Sequence, residues 1–154
     1  MMFGGLALVI GAWVGMGEAA SAYQQHQRDA AFNRWMVQSE AATEAKLPVL
    51  KRRFAAVPFP SDIKRASGSP TRMRGVFGAF FGPGQVTRSP SSTTAVVVDA
   101  LRRAGFENVT RLARDDGWKV IGTTSVGEVW VYVHPSGQGS RISGALNPAI
   151  PHCC

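Results

Sequence analysis

The chain has 154 residues, of which 17 are Lys or Arg and 10 are Asp or Glu, so its formal net charge is +7. This length allows one ordinary domain, or a small domain with an anchor and a tail, and excludes two sizeable hydrophobic cores. Apolar residues make up 45% of the chain, which excludes a disordered composition. The positive charge is concentrated between Tyr23 and Ser92. Such a region suits an anionic surface, and the alternative is a solvated connector.

The first predicted element is an apolar segment over residues 1–22, in which Phe3 to Gly17 carries no charge. The tripeptide Ala20-Ser21-Ala22 has the spacing of small residues after which signal peptidase cleaves. Since a free-standing membrane helix needs about 20 apolar residues, this shorter run favours a signal peptide and a mature chain that begins at Tyr23. The alternatives are an uncleaved single-span anchor, because no basic residue precedes the run, and a buried helix.

The middle of the chain is predicted to be a helical segment followed by a linker. Residues 23–57 have apolar side chains at spacings of three and four, and Pro48 fits the first turn of a second helix better than the interior of one. Residues 58–92 are rich in Pro, Gly and Ser, which predicts a basic linker. It includes an apolar stretch, VFGAFF, at residues 76–81. The candidate contacts with an anionic membrane or cell-wall surface are Lys64, Arg65, Arg72 and Arg74.

The last third of the chain has the clearest pattern. Ser92 or Thr93 is a predicted helix cap, and apolar residues then recur at helical spacing until Gly105. Two strands, Glu107 to Arg114 and Trp118 to Thr124, follow and are joined by an Asp-Asp-Gly turn. A third strand alternates valines with aromatic residues. The predicted fold class is therefore α+β. Residues 93–143 form one helix packed on a three-stranded antiparallel sheet, and residues 144–154 form a tail.

Four runs carry a resemblance to a known family: ALRRAGFENV from Ala100, DDGWKV from Asp115, GEVWVYV from Gly127 and HPSG from His134. Together they cover about a third of the chain and resemble a PepSY-type domain. The resemblance implies an extracytoplasmic bacterial module, similar to those in the propeptides of secreted metallopeptidases. It implies regulation or inhibition of a peptidase and no catalytic residues.

The sequence has no pattern typical of an enzyme. His26, His134 and His152 lie far apart without metal-ligand spacing, and no Gly-x-Ser-x-Gly motif is present. Cys153 and Cys154 are adjacent, so they form no disulfide framework. We therefore expect no catalytic residue, no cofactor and no metal. The basic residues form no helical stripe with interleaved aromatics, so nucleic acid is not favoured as a partner.

Two functional interpretations follow. The first is a small exported, non-enzymatic binding or regulatory module of PepSY type, periplasmic or extracellular, which acts on a secreted peptidase or another envelope protein. Its candidate partner-binding face consists of Lys119, Trp130 and Tyr132, because exposed aromatic residues are frequent in protein interfaces. The second is a single-span, membrane-anchored accessory subunit of a larger membrane complex.

Overall fold

The computed structural model describes the chain from Gly5 to Cys154, with side chains described from Gly17 onward. Its elements are α1 (Gly5–Ala55), α2 (Ser61–Ser67), β1 (Thr71–Arg72), β2 (Ala79–Val86), α3 (Pro90–Arg103), β3 (Glu107–Arg114), β4 (Gly117–Thr124), β5 (Gly127–Ser136) and β6 (Gly139–Pro148). They form two compact units. One contains the residues up to Gln38 with Pro151–Cys154, and the other contains Ser39–Ile150.

The predicted signal peptide or anchor, residues 1–22, lies mostly outside the residues whose side chains are described. Within the described part of the chain, no helix combines the length and the apolar character needed to cross a membrane. In the first unit, the Trp35 indole N–H donates a hydrogen bond of 2.8 Å to the Pro151 carbonyl. The ring of Phe32 lies 5.5 Å from that of Trp35. Cys153 and Cys154 are exposed free thiols.

The second unit is built on a six-stranded antiparallel sheet with strand order β1-β2-β6-β5-β4-β3. The prediction of one helix on a three-stranded sheet is therefore wrong, although the α+β class is right. Three strands had no clear signal in the sequence. In β6, Gly144 interrupts the alternation of Ile142 and Leu146, so this strand looked like part of a tail.

Helices α1, α2 and α3 contribute buried residues to one core against one face of this sheet. The core contains Leu47, Leu50 and Phe54 from α1, Ile63 from α2, Val97 and Leu101 from α3, and Val129, Val131 and Val133 from β5. The predicted helix break at Pro48 is also wrong, because α1 continues through it to Ala55. Leu47 and Leu50 flank this proline and are both buried. Packing of these two side chains therefore holds the helix where local propensity would end it.

The predicted linker is likewise structured, since α2, β1 and β2 all lie within residues 58–92. Three of its glycines, Gly78, Gly82 and Gly84, lie at close approaches to neighbouring backbone. A Cβ atom added at Gly84 would lie 2.0 Å from the Ala66 carbonyl oxygen, so the missing side chain lets α2 approach β2. In a strand, glycine often marks such a close approach between backbones. Composition alone does not distinguish this use of glycine from flexibility.

Helix α3 begins one turn earlier than predicted. Its cap is Ser89, whose hydroxyl oxygen accepts a 3.3 Å hydrogen bond from the Ser92 N–H, and Pro90 occupies the first turn. Thr93 is fully buried instead of capping the helix. Its hydroxyl lies 2.8 Å from that of Ser140, which donates to the Arg88 carbonyl. This buried polar network attaches the start of α3 to β6.

An ion pair joins α2 to the segment before α3, and it makes stability depend on pH. Arg88 Nε lies 2.7 Å from Asp62 Oδ2, and this hydrogen bond lowers the pKa of Asp62 below its usual 3.8. The ion pair therefore contributes stability above pH 3.8, and that contribution is lost as the pH falls through the folded-state pKa. We expect Asp62→Asn to lower the urea midpoint at pH 7 and to have a smaller effect at pH 2.5. Equal effects at the two pH values would contradict this origin of the stability.

Candidate functional site

The two faces of the sheet differ in chemistry because the side chains of each strand alternate. Val129, Val131 and Val133 of β5 point into the core, whereas Trp130 and Tyr132 between them are half-buried on the opposite face. The packed residues of α2, α3 and the end of α1 all belong to the core side. Within Ser39–Ile150, the opposite face therefore carries no packed helix. We call it the open face.

At the centre of the open face is a cluster of one cation and two aromatic rings. Lys119 of β4 pairs directly with Tyr132 of β5 in the strand register. Its ammonium nitrogen lies 3.5 Å from the centroid of the Trp130 ring and 5.5 Å from that of Tyr132. Arg114 approaches Tyr132 from β3, with its guanidinium carbon 5.8 Å from the ring centroid. These distances are typical of cation–π interactions.

Hydrogen bonds hold the rings of this cluster in place. The indole N–H of Trp130 donates to the Glu128 carboxylate over 2.9 Å, which satisfies its polar group and fixes the ring. The ring of His134 stacks on that of Tyr132 at 6.3 Å. Its Nδ1 lies 2.9 Å from the Asp116 carbonyl oxygen. The rings of the cluster are therefore held by contacts within the chain itself.

Apolar side chains extend the open face on both sides of the cluster. Phe80 of β2 is 42% exposed and Leu112 of β3 is 49% exposed. In the register, Phe80 and Trp130 both pair with Ala145, and Leu112 pairs with Lys119. An exposed surface with aromatic residues at its centre and mixed charge around them is typical of a protein-binding site.

The three predicted partner-binding residues, Lys119, Trp130 and Tyr132, lie together in this cluster. The four predicted anionic-surface residues lie in different settings. Lys64 and Arg65 belong to α2, Arg72 belongs to β1, and Arg74 follows β1. The Arg72 guanidinium is paired with Glu40 of α1, so this residue is partly neutralised. The flexible segment in which these four residues were expected to act is not present.

Sequence reasoning missed Arg114, Phe80 and Arg141 as members of the open face. Each lies on a strand other than β5, and strand pairing alone brings them beside the aromatic residues. Arg141 pairs with His134, for example, although the two are seven positions apart in the chain. Arg114 could have been assigned to the open face from the register of the β3–β4 hairpin, because the sequence of the turn sets that register.

Among the described residues, no group of three or more His, Cys, Asp or Glu side chains is placed to hold a metal ion. Searches against protein-family models, curated proteins and solved structures found no match to this chain.

Proposed function

We propose that this protein is a non-enzymatic binding module that holds a protein partner on the open face of its sheet. The observation that carries the proposal is the preorganised cluster of Lys119, Trp130 and Tyr132 on a face that no helix of the same unit covers. Trp and Tyr are the residue types that most often dominate interface energetics. The module acts by binding, and it regulates the partner by covering part of its surface.

The charge of the open face indicates what the partner presents. Lys119 and Arg141 are cationic, and Arg114 is partly neutralised by Asp116, whose Oδ1 lies 3.7 Å from its Nε. The Glu128 carboxylate already accepts a hydrogen bond from Trp130. A partner surface with exposed carboxylates around an apolar centre would be complementary. The resemblance to PepSY-type domains supports a secreted peptidase or another envelope protein as this partner, and an exported location for the chain.

Removing the two aromatic rings tests the proposal. The full chain and its Trp130→Ala/Tyr132→Ala variant are immobilised and exposed to an envelope fraction of the source cells, and the retained protein is purified. The affinity of this purified protein for the wild-type chain and for the double variant is then measured by calorimetry. We expect the double variant to bind at least about thirtyfold more weakly, because truncating even one central aromatic residue costs about 2 kcal/mol and about 1.4 kcal/mol is a tenfold change.

The control is Tyr23→Ala/Phe32→Ala, which removes two aromatic rings from α1 that are more exposed than those of Trp130 and Tyr132. This control should bind the purified partner within twofold of the wild type. Both variants should keep the wild-type circular dichroism spectrum. Equal affinities of the wild type and the Trp130→Ala/Tyr132→Ala variant would contradict the proposal, as would equal losses in the two double variants.

A further inference from the structure

Strand β3 leaves a long edge of the sheet unpaired. The two edge strands are β1, with two residues, and β3, with eight. Arg114 and Gly117 flank a two-residue turn and pair with each other. In an antiparallel ladder, only every second residue of a strand directs its N–H and C=O groups at the neighbouring strand. Counting back from Arg114, the N–H and C=O groups of Arg111 and Ala113 therefore point away from β4. Such unpaired N–H and C=O groups can take up a further strand.

A cleft lies beside this edge on the helix side of the sheet. It has a volume of about 380 Å³ and is formed by α3 and β3, with Ala95, Val98 and Val109 as its apolar lining and Asp99, Arg102 and Arg111 as its charged lining. Its one carboxylate, Asp99, is paired with Arg103 at 2.8 Å. Within the described part of the chain, neither Arg102 nor Arg111 has a carboxylate partner. The cleft therefore combines apolar side chains with two cations that can bind an acid.

We propose that β3 is a docking edge for an extended acidic segment of a partner protein. The segment adds as a seventh strand beside residues 110–114 and places a carboxylate side chain in the cleft, between Arg102 and Arg111. Its side chains on the other face meet Leu112, which is 49% exposed, and Arg114. Main-chain hydrogen bonds supply affinity and the cleft supplies selectivity, as in other cases of strand addition.

The charges of β3 favour an acidic segment over a second copy of this chain. Two β3 strands paired antiparallel would place Arg111 and Arg114 of one copy near the same residues of the other. Like charges opposite one another destabilise a strand pair. An acidic strand instead neutralises the two cations of the cleft, and its carboxylates form charge-assisted hydrogen bonds with their guanidinium groups.

The test uses the full chain and a fluorescein-labelled synthetic peptide, acetyl-TEVETEV-amide, whose glutamates share one face when it is extended. The comparison peptide has lysine in place of every glutamate. We expect the acidic peptide to give a saturable rise in anisotropy and the lysine peptide to give none over the same concentrations. Arg111→Glu should weaken binding of the acidic peptide at least tenfold. Arg53→Glu, the same charge change at an exposed site on α1, should stay within twofold of the wild type.

Two further readouts distinguish binding of the peptide at β3 from binding at the open face. The Trp130→Ala/Tyr132→Ala variant, which removes neither Leu112 nor Arg114, should bind the acidic peptide within twofold of the wild type. A loss of peptide binding in this variant would place the peptide on the open face and contradict the inference. Hydrogen exchange should slow at the amides of Arg111 and Ala113 when the peptide is bound. Where Arg111→Glu does not keep the wild-type circular dichroism spectrum, Arg102→Glu on the surface of α3 provides the same test.

Three further results would overturn the inference. The first is no binding of the acidic peptide to the wild-type chain. The second is an equal loss of affinity in Arg53→Glu and in the cleft variants, which would indicate attraction to the net charge alone. The third is dimerisation of the wild-type chain that slows exchange at Arg111 and Ala113 and that the acidic peptide does not reverse, because a second copy would then occupy the edge.

Discussion

Replacing Gly84 with alanine is expected to destabilise the second unit by about 3 kcal/mol, the upper end of the usual cost of overpacking, because the new methyl group meets backbone atoms. The new Cβ would lie 2.0 Å from the Ala66 carbonyl oxygen and 2.4 Å from the Ala66 Cα. These are backbone atoms, so no side-chain rotation relieves the overlap. Helix α2 has to move away from β2, which opens the core at the buried Ile63. Urea unfolding followed by circular dichroism measures the loss.

Gly17→Ala is the matched control for this substitution. A Cβ at Gly17 meets nothing within 4 Å, and alanine in a helix is more favourable than glycine by about 1 kcal/mol. The control should leave stability unchanged or raise it slightly. If Gly84→Ala were as harmless as Gly17→Ala, residues 58–92 would be a flexible linker, and the packing of α2 on β2 would be wrong.

Replacing Leu50 with alanine is the second large prediction, and it tests whether the end of α1 belongs to the core. Leu50 is fully buried and lies in the same core as residues of the sheet. Its truncation should cost about 2–5 kcal/mol, from lost transfer free energy and from the cavity left behind. We expect a lower urea midpoint with an unchanged slope, since the same surface is exposed on unfolding.

The control for Leu50→Ala is Val37→Ala, on the same helix at a site that is 71% exposed. Surface substitutions of this kind change stability by about 0.5 kcal/mol or less. A difference of at least about 1.5 kcal/mol between the two variants is therefore expected. Similar small effects in both would mean that α1 does not pack on the sheet.

The elements with strong local signals were predictable from the sequence. The strand from Glu107 to Arg114 and the Asp-Asp-Gly turn coincide with the observed β3 and its turn, and the valine alternation of β5 identifies its buried face. The predicted size of the sheet was wrong. Strands β2 and β6 contain Gly84 and Gly144 at points of close backbone approach, and glycine gives no periodic hydrophobic signal there.

The candidate site was predictable where its residues lie on strands with a clear sequence pattern. Lys119, Trp130 and Tyr132 lie on two adjacent strands of a recognisable hairpin meander, so alternation alone placed them on one face. Arg114 and Phe80 join them through the register of β3 with β4 and of β2 with β6. The cleft beside β3 depends on how α3 packs across the sheet, which is tertiary information that no local pattern in this sequence carries.

The most direct measurement of the central claim is site-specific photo-crosslinking of the full chain in the cells that produce it. A photoreactive phenylalanine analogue is placed at position 132 on the open face and, in a second strain, at position 53 at the exposed end of α1. We predict one discrete crosslinked protein from position 132, absent from position 53 and lost when Trp130→Ala is added. No adduct from position 132, or the same set of adducts from both positions, would contradict the assignment of the open face as the binding surface.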